Sequence, residues 1–389
     1  MGHFSIIQST VILLLNFGIL GQNVSAAVLT SRFKKRYPHS LGLLIGNTYI
    51  LSSLSLVIVG AGAFISAEYL FPEIFLNFSS KYISIGIIVL WSFAMTIDML
   101  QVSTLIGLEA YRDLIKTDIL KGLISIGLIY PLSVRYGLSG IVPGYLIASL
   151  IGVMMNQVFV RKHLNLLGVR VVFKFSLNII RRILNIGLPV FIAALFVSLA
   201  TWLTNKMIFN EIGGPVALGI VFVCRQIMTL IQFFPVQISK VLLPIIAEDK
   251  NYPEKTIVKK NSLVAGVSIG IILAVFGLIM EQKVLLIYNL NPEIASLPYR
   301  IILVTVVFSA INMILGQFVI AGKNPWVRAY ADIVISFVMI AITFLLKGSY
   351  IYEALPLAML ISFILSDLLI AFHIRGKSLF IKALTLNSD

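Results

Sequence analysis

Apolar residues run along the chain in long blocks, separated by short polar and mostly basic segments. A helix of about 20 residues rising 1.5 Å per residue covers the hydrocarbon core of a bilayer. Within lipid, backbone N–H and C=O groups must bond inside their own segment, so such blocks fold as helices. The pattern predicts about eleven spans. They are Phe4 to Thr30, Leu41 to Ser66, Ile83 to Leu108, Leu114 to Val134, Leu138 to Val160, Ile183 to Phe209, Val216 to Val241, Leu263 to Met280, Ile301 to Ala321, Val327 to Leu346 and Ala354 to His373. The expected fold is all-α, a polytopic integral membrane protein.

The polar segments give this fold a direction. With alternate loops on opposite sides, 22 Lys and Arg residues fall on one side, among them Arg32, Lys34, Lys35, Arg36, Arg161, Lys162, Arg170 and Lys174. Six fall on the other: Lys81, Arg135, Lys206, Lys283, Arg300 and Lys347. Cytoplasmic loops are enriched in these residues, so the richer side, and with it the C-terminus, is expected to be cytoplasmic. The longest connection on that side separates five spans from six. This predicts an N-terminal bundle over 1–160, a linker over 161–182 and a C-terminal bundle over 183–389 ending in a short basic tail. Tyr37-Pro38 and Tyr252-Pro253, like Gln22 and Gln237, recur at one constant spacing. That spacing sets the first span opposite the seventh and predicts two parallel helical bundles around a central cavity, as in transporters built from repeats. On the same alignment one further helix is expected ahead of the first span.

Composition narrows the function classes. Of 389 residues, 59% are hydrophobic and 12% charged, and the mean hydropathy is +1.01, outside the range of soluble domains. A formal net charge of +14 in a soluble chain would point to nucleic acid. Here the basic residues are scattered between spans instead of forming one basic domain, so nucleic acid is excluded as a partner. Cys224 is the single cysteine and lies within a span, and four histidines show no ligand spacing, so neither a disulfide nor a metal site is expected.

One span breaks the apolar rule. LGIVFVCRQIMTLIQFFPVQISKVLL carries Arg225 near its middle, with Thr229 and Gln232 at i+4 and i+7 on the same helix face. A guanidinium at the centre of a span costs roughly 2.5–3.5 kcal/mol on insertion scales, so it faces protein or water. Two readings stand: a structural arginine paired with a carboxylate such as Asp98, or an anion site within a pathway.

Three stretches carry a family likeness. FSIIQSTVILLLNFGILGQNVSAAVL resembles the second helix, and LIGLEAYRDLIKTDILKGLISI the fourth-to-fifth helix junction, of the polysaccharide flippases in the multidrug/oligosaccharidyl-lipid/polysaccharide exporter superfamily. The third stretch holds Gly187-Leu188-Pro189, Gly213-Gly214, Ala217-Leu218-Gly219, Pro244 and Glu248, and resembles that family's seventh and eighth helices. Two features depart from the family pattern: the chain opens where the second family helix stands, and Ala110-Tyr111-Arg112 replaces a basic–aromatic order after the fourth helix. The resemblance implies a transporter that flips a polyprenyl-pyrophosphate-linked oligosaccharide, such as an O-antigen or capsule repeat unit, by alternating access. It implies a bacterial cytoplasmic (inner) membrane, with membrane lipid, the lipid-linked oligosaccharide and other polysaccharide-assembly proteins as partners. Competing readings are a multidrug or cation antiporter of the same superfamily and a membrane-embedded polysaccharide polymerase. The outer loops are short and hold no recognisable acid–base arrangement, which argues against the polymerase.

A pyrophosphate and its sugars need polar atoms at membrane depth. The candidates for binding substrate are Arg225, Thr229, Gln232, Asn16, Asn23, Asn205 and Asn312. Arg225 is the expected phosphate contact because its planar fork fits phosphate oxygens and keeps its charge. Asp98 is the expected coupling-ion site, for H+ or Na+, or else a structural pair, and no other cofactor is expected. Isolated Asn, Gln, Ser and Thr commonly just bridge helices.

Overall fold

The computed structural model describes residues 2–65, 81–247, 252–321 and 325–386. They form thirteen helices with no strand among the described residues: α1 Gly2–Ile19, α2 Gln22–Arg36, α3 Pro38–Ile65, α4 Lys81–Gly107, α5 Tyr111–Tyr136, α6 Leu138–Leu166, α7 Leu177–Phe209, α8 Gly214–Ala247, α9 Tyr252–Ile279, α10 Glu281–Ile287, α11 Pro292–Ala321, α12 Pro325–Leu346 and α13 Ala354–Leu386. Eleven are long and apolar enough to cross a membrane. The all-α, polytopic expectation therefore holds. Most helices run past the ends of their apolar blocks, because a helix once formed adds one bond per residue whatever the side chain.

The first predicted span is a broken pair. Leu20 and Gly21 take positive φ, 48° and 70°, which ends α1 and restarts the chain as α2. Gly21 is required there: a Cβ would lie 2.0 Å from the carbonyl oxygen of Gly187 on α7. The equivalent position in the repeat lies near Pro235, yet α8 continues through it as one helix to Ala247. Two halves that align in sequence thus differ at this point because only the first supplies a glycine.

Packing divides the chain into two units, Ile6–Ser198 and Met1–Ser5 with Leu199–Asp389. The divisions fall inside α1 and inside α7. In the first unit α4 packs on α2, α3 and α6, with α5 on α6, around Leu29, Phe33, Leu44, Leu105, Leu114 and Ile183. In the second, α11 packs on α8, α9 and α13, around Ile220, Cys224, Met228, Tyr299, Val306 and Met359. The N-terminal end of α1 belongs to this second core, with the His3 ring edge-on to Phe209 and the Phe4 ring edge-on to Phe222.

Buried hydroxyls are largely satisfied within their own helices. Thr96, Thr104, Thr305 and Ser362 each donate to the carbonyl four residues back. This internal bonding removes them from any list of groups that need a pathway.

Candidate functional site

The side chains singled out above fall in both units. Asn16, Asn23 and Asp98 lie in Ile6–Ser198, and Asn205, Arg225, Thr229, Gln232 and Asn312 lie in the second unit. The break at Leu20-Gly21 puts Asn16 on α1 and Asn23 on α2, so they do not share one continuous helix face. Asn23 keeps a buried Oδ1 with no hydrogen-bond partner. Its neighbour Gln22, fully buried, donates instead to the Ser52 hydroxyl on α3 at 2.6 Å.

Asp98 is tied into a three-residue network. Lys121 Nζ donates to its two carboxylate oxygens at 3.2 and 3.0 Å, and Asn156 Nδ2 donates at 2.8 Å. Lys121 also stands 3.4 Å from Asp118, one turn earlier on α5. The network joins α4, α5 and α6, and within it the pair left open for Asp98 is made with Lys121. Asn156 escaped the sequence reading. So did Gln157, whose Oε1 accepts from Gln101 at 2.8 Å. Their signal was a pair of amides inside an otherwise apolar span.

In the second unit a larger network also went unread. Arg328 holds Asp332 at i+4 on α12 through a hydrogen bond from Nε to Oδ2 at 2.9 Å and an ion pair between Nη2 and Oδ1 at 2.8 Å. Its Nη1 reaches Asn312, donating to the backbone carbonyl at 2.9 Å and to Oδ1 at 2.7 Å. Asn312 Nδ2 then donates to Ser366 Oγ at 2.8 Å and Asp367 Oδ1 at 2.9 Å. Asn312 therefore spends both ends of its amide joining α11, α12 and α13. Asp367 is buried and interhelical here, and its Oδ2 has no partner. The Arg–Asp spacing of one helical turn was the available signal.

Arg225 differs from both networks. It is half-buried on α8, beside fully buried Cys224. Its Nη2 donates to the Met359 sulfur at 3.4 Å, and its buried Nε has no hydrogen-bond partner. No carboxylate pairs with it among the described residues. A thioether is a weak acceptor and carries no charge, so the guanidinium is left uncompensated.

The rest of the polar stripe is partly committed. Thr229 is exposed and returns its hydroxyl to the Arg225 carbonyl at 2.9 Å. Gln232 donates to Ser309 on α11. Asn205, near the end of α7, is almost fully buried with both amide atoms unpartnered. Counted from the turn at Glu211 to Gly214, Asn205 lies roughly 7–8 Å shallower than Arg225 at 1.5 Å per residue. That turn depends on Gly213, whose φ of 78° lets the chain reverse between α7 and α8. Glu248, part of the family likeness, lies outside the described residues.

Among the described residues of the second unit, Arg225 offers an open guanidinium nitrogen and Asn205 an open amide, at different depths. Buried polar atoms without protein partners need water or a ligand. An open guanidinium and an amide donor suit an anion bearing oxygens.

Comparison with known proteins agrees with this architecture. No curated protein sequence matches the chain. Among solved structures, an inward-facing multidrug resistance MATE family transporter of the MOP superfamily matches with a TM-score of 0.72 at 14% identity, covering 96% of this chain and 90% of that one. A MATE in the bent conformation matches at 0.70 with 15% identity, covering 96% and 86%. A MOP superfamily transporter from Pyrococcus furiosus Vc1 (DSM3638) matches at 0.69 with 15% identity, again covering 96% and 86%. At such identities the likeness is one of fold. Residues 1–250 match the family described as polysaccharide biosynthesis protein, and since they make up well over half of the sequence, the chain belongs to that family.

Proposed function

We propose that the protein is a transporter that flips a polyprenyl-pyrophosphate-linked oligosaccharide across the bacterial cytoplasmic membrane, with Arg225 contacting the pyrophosphate. The family membership supports a polysaccharide substrate, and the shared transporter fold supports movement across the membrane over an enzymatic step. The observation that carries the reading is the unpaired state of Arg225. Asp98 and Asp332 both have a base within reach, whereas among the described residues the Arg225 guanidinium meets a sulfur and no carboxylate. An arginine is retained at such cost when something anionic visits it.

In this reading the bundles over 1–160 and 183–389 expose a central cavity alternately to each side, and the polyprenyl tail stays in lipid. Asn205, Gln232 and Thr229 supply polar contacts to sugar or phosphate, with Asn16 and Asn23 as their counterparts in the first bundle. Asn312 contributes only if substrate entry rearranges the Arg328 network. A coupling ion at Asp98 would have to take the place of Lys121 Nζ, so H+ fits more readily than Na+. The basic loops and C-terminal tail face the cytoplasm, where other assembly proteins would deliver substrate.

One related observation bears on the competing cation-exporter reading. The Pyrococcus furiosus relative is described as having a binding pocket of reverse polarity that suggests a different function, so this fold accommodates pockets of either sign. The test is replacement of Arg225 by Ala and by Lys in a strain that depends on this protein for surface polysaccharide. Membrane levels are followed by immunoblot and polysaccharide by gel. Loss of polysaccharide at normal protein level is expected for Ala, with partial retention for Lys, because Lys keeps the charge without the bidentate fork. Normal polysaccharide in the Ala variant, or a change confined to accumulation of cationic drugs, would overturn the assignment.

A further inference from the structure

The chain between α6 and α7 does not hang free. Residues 169–176 form no helix or strand and are fixed by their backbone along α3. Val172 N donates to the Gly42 carbonyl at 3.1 Å. Asn47, fully buried, donates from Nδ2 to the Lys174 carbonyl at 2.9 Å and accepts the Ser176 amide on Oδ1 at 2.9 Å. Gly42 and Gly46 leave the groove for this strap: a Cβ on either would meet the carbonyl oxygen of Arg170 at 1.8 Å or of Val172 at 2.0 Å.

Val169 and Val171 pack inward against the core that includes Leu41, Leu44 and Ile45 of α3, whereas most side chains that follow them are exposed. Val172, Phe173, Phe175 and Leu177 are 46%, 69%, 58% and 72% exposed. Arg170, Lys174, Arg181 and Arg182 are exposed among them. From Arg161 to Asn210 the sequence contains no acidic residue. The depth follows from α3. Its first residue, Pro38, comes directly after the basic end of α2 at Lys34, Lys35 and Arg36, and such clusters sit at the headgroup level. The strap follows α3 from Gly42 to Asn47, which at 1.5 Å per residue carries it about 7 Å further in. Exposed aromatic and aliphatic side chains at that depth, in a stretch of sequence with basic residues and no acid, match the composition of interfacial membrane anchors.

We propose that this strap is a lipid anchor: Phe173 and Phe175 enter the headgroup–acyl boundary, while Arg170, Lys174, Arg181 and Arg182 bind the phosphates of anionic phospholipids. The connection between the halves would then be seated on the leaflet by lipid charge and would not be a solvated linker. A soluble protein partner would need an acidic surface reaching to the depth of Asn47, which the bilayer itself already occupies.

The test uses the full chain in nanodiscs of phosphatidylcholine, with and without phosphatidylglycerol. Spin labels are attached at Phe173→Cys, Phe175→Cys and, as an aqueous reference, Asn165→Cys, on a Cys224→Ala background. Native Cys224 is fully buried, so the unmodified background serves if that replacement fails to fold. Collision with oxygen, which partitions into lipid, is compared with collision with a water-soluble nickel chelate. Labels at 173 and 175 should favour oxygen, move deeper when phosphatidylglycerol is added, and lose that shift in Arg170→Gln/Lys174→Gln. Nickel accessibility equal to that at position 165, or depth independent of phosphatidylglycerol, would overturn the proposal.

Discussion

Replacing Arg225 by Met should stabilise the protein while removing its proposed function. The insertion cost of an arginine at the centre of a span is roughly 2.5–3.5 kcal/mol. Against it the structure offers one hydrogen bond to sulfur, where a typical neutral bond contributes about 0.5–1.5 kcal/mol. Arg225 as a whole keeps part of its surface exposed, which lowers the cost further. The balance is about 1–2 kcal/mol of strain on the resting protein, from the difference of those two terms. Met keeps the unbranched stem and can keep the contact with the Met359 sulfur.

At roughly 2–4 °C per kcal/mol for a unit of this size, the melting temperature of Arg225→Met should rise by roughly 2–8 °C. Cys224 provides the assay. It is the single cysteine and fully buried, so a thiol-reactive fluorophore lights up only as the second unit opens. Intrinsic tryptophan fluorescence gives an independent transition, since Trp202 and Trp326 lie in the same unit. A fall in melting temperature corresponding to about 3–5 kcal/mol would refute the reasoning, because that is the loss on deleting one member of a paired buried charge.

The paired charges should behave in the opposite sense. Lys121→Met leaves Asp98 with Asn156 alone and should destabilise by about 3–5 kcal/mol, with much of the loss recovered in Lys121→Met/Asp98→Asn, read in the same thermal assay. Arg328→Met strands Asp332 and the Asn312 carbonyl together and should cost at least as much; a loss under about 1 kcal/mol would mean that water already replaces the guanidinium. Gly21→Ala combines a φ of 70° with contact on the Gly187 oxygen and should abolish a monodisperse peak on size-exclusion chromatography. Gly137→Ala, at φ 57° with nothing within 4 Å of the new Cβ, should cost only about 1–3 kcal/mol and keep that peak. Asp367→Asn should preserve polysaccharide export, measured as for Arg225, because its carboxylate lies inside the Asn312 network and is closed to substrate.

The spans were legible because lipid leaves the backbone one solution, and an apolar run of sufficient length declares it. Their ends were less legible. α6 continues to Leu166 and α9 begins at Tyr252, well into polar sequence that a helix tolerates once formed. The break at Leu20-Gly21 was hidden for another reason. A glycine in an apolar run reads as tolerated, and the carbonyl that makes it necessary belongs to Gly187, far along the chain. The site divides in the same way. Arg225 could be found from local composition alone, since a charge in a span is anomalous wherever it points. Its lack of a partner, and the commitment of Asn312 and Asp98 to others, depend on contacts between distant helices. Pairs one turn apart, Asp118 with Lys121 and Arg328 with Asp332, were within reach of spacing rules, yet spacing did not reveal that Lys121 also holds Asp98.

For the proposed function, the sign of the open charge favours one substrate class over the other. In the first unit Asp98 is held by Lys121, and in the second Asp332 is held by Arg328, so neither of these acids is free to receive a cation. Asp367 keeps one open oxygen, but that oxygen is sealed from solvent and its neighbour accepts from Asn312. An incoming cation would have to displace a guanidinium network to reach it. An incoming phosphate displaces only the weak contact between Arg225 and a thioether, and it relieves the desolvation that the resting protein endures. On the proposed reading the arginine has a use: in a protein that carried cations, Arg225 would repel the cargo and destabilise the fold at once.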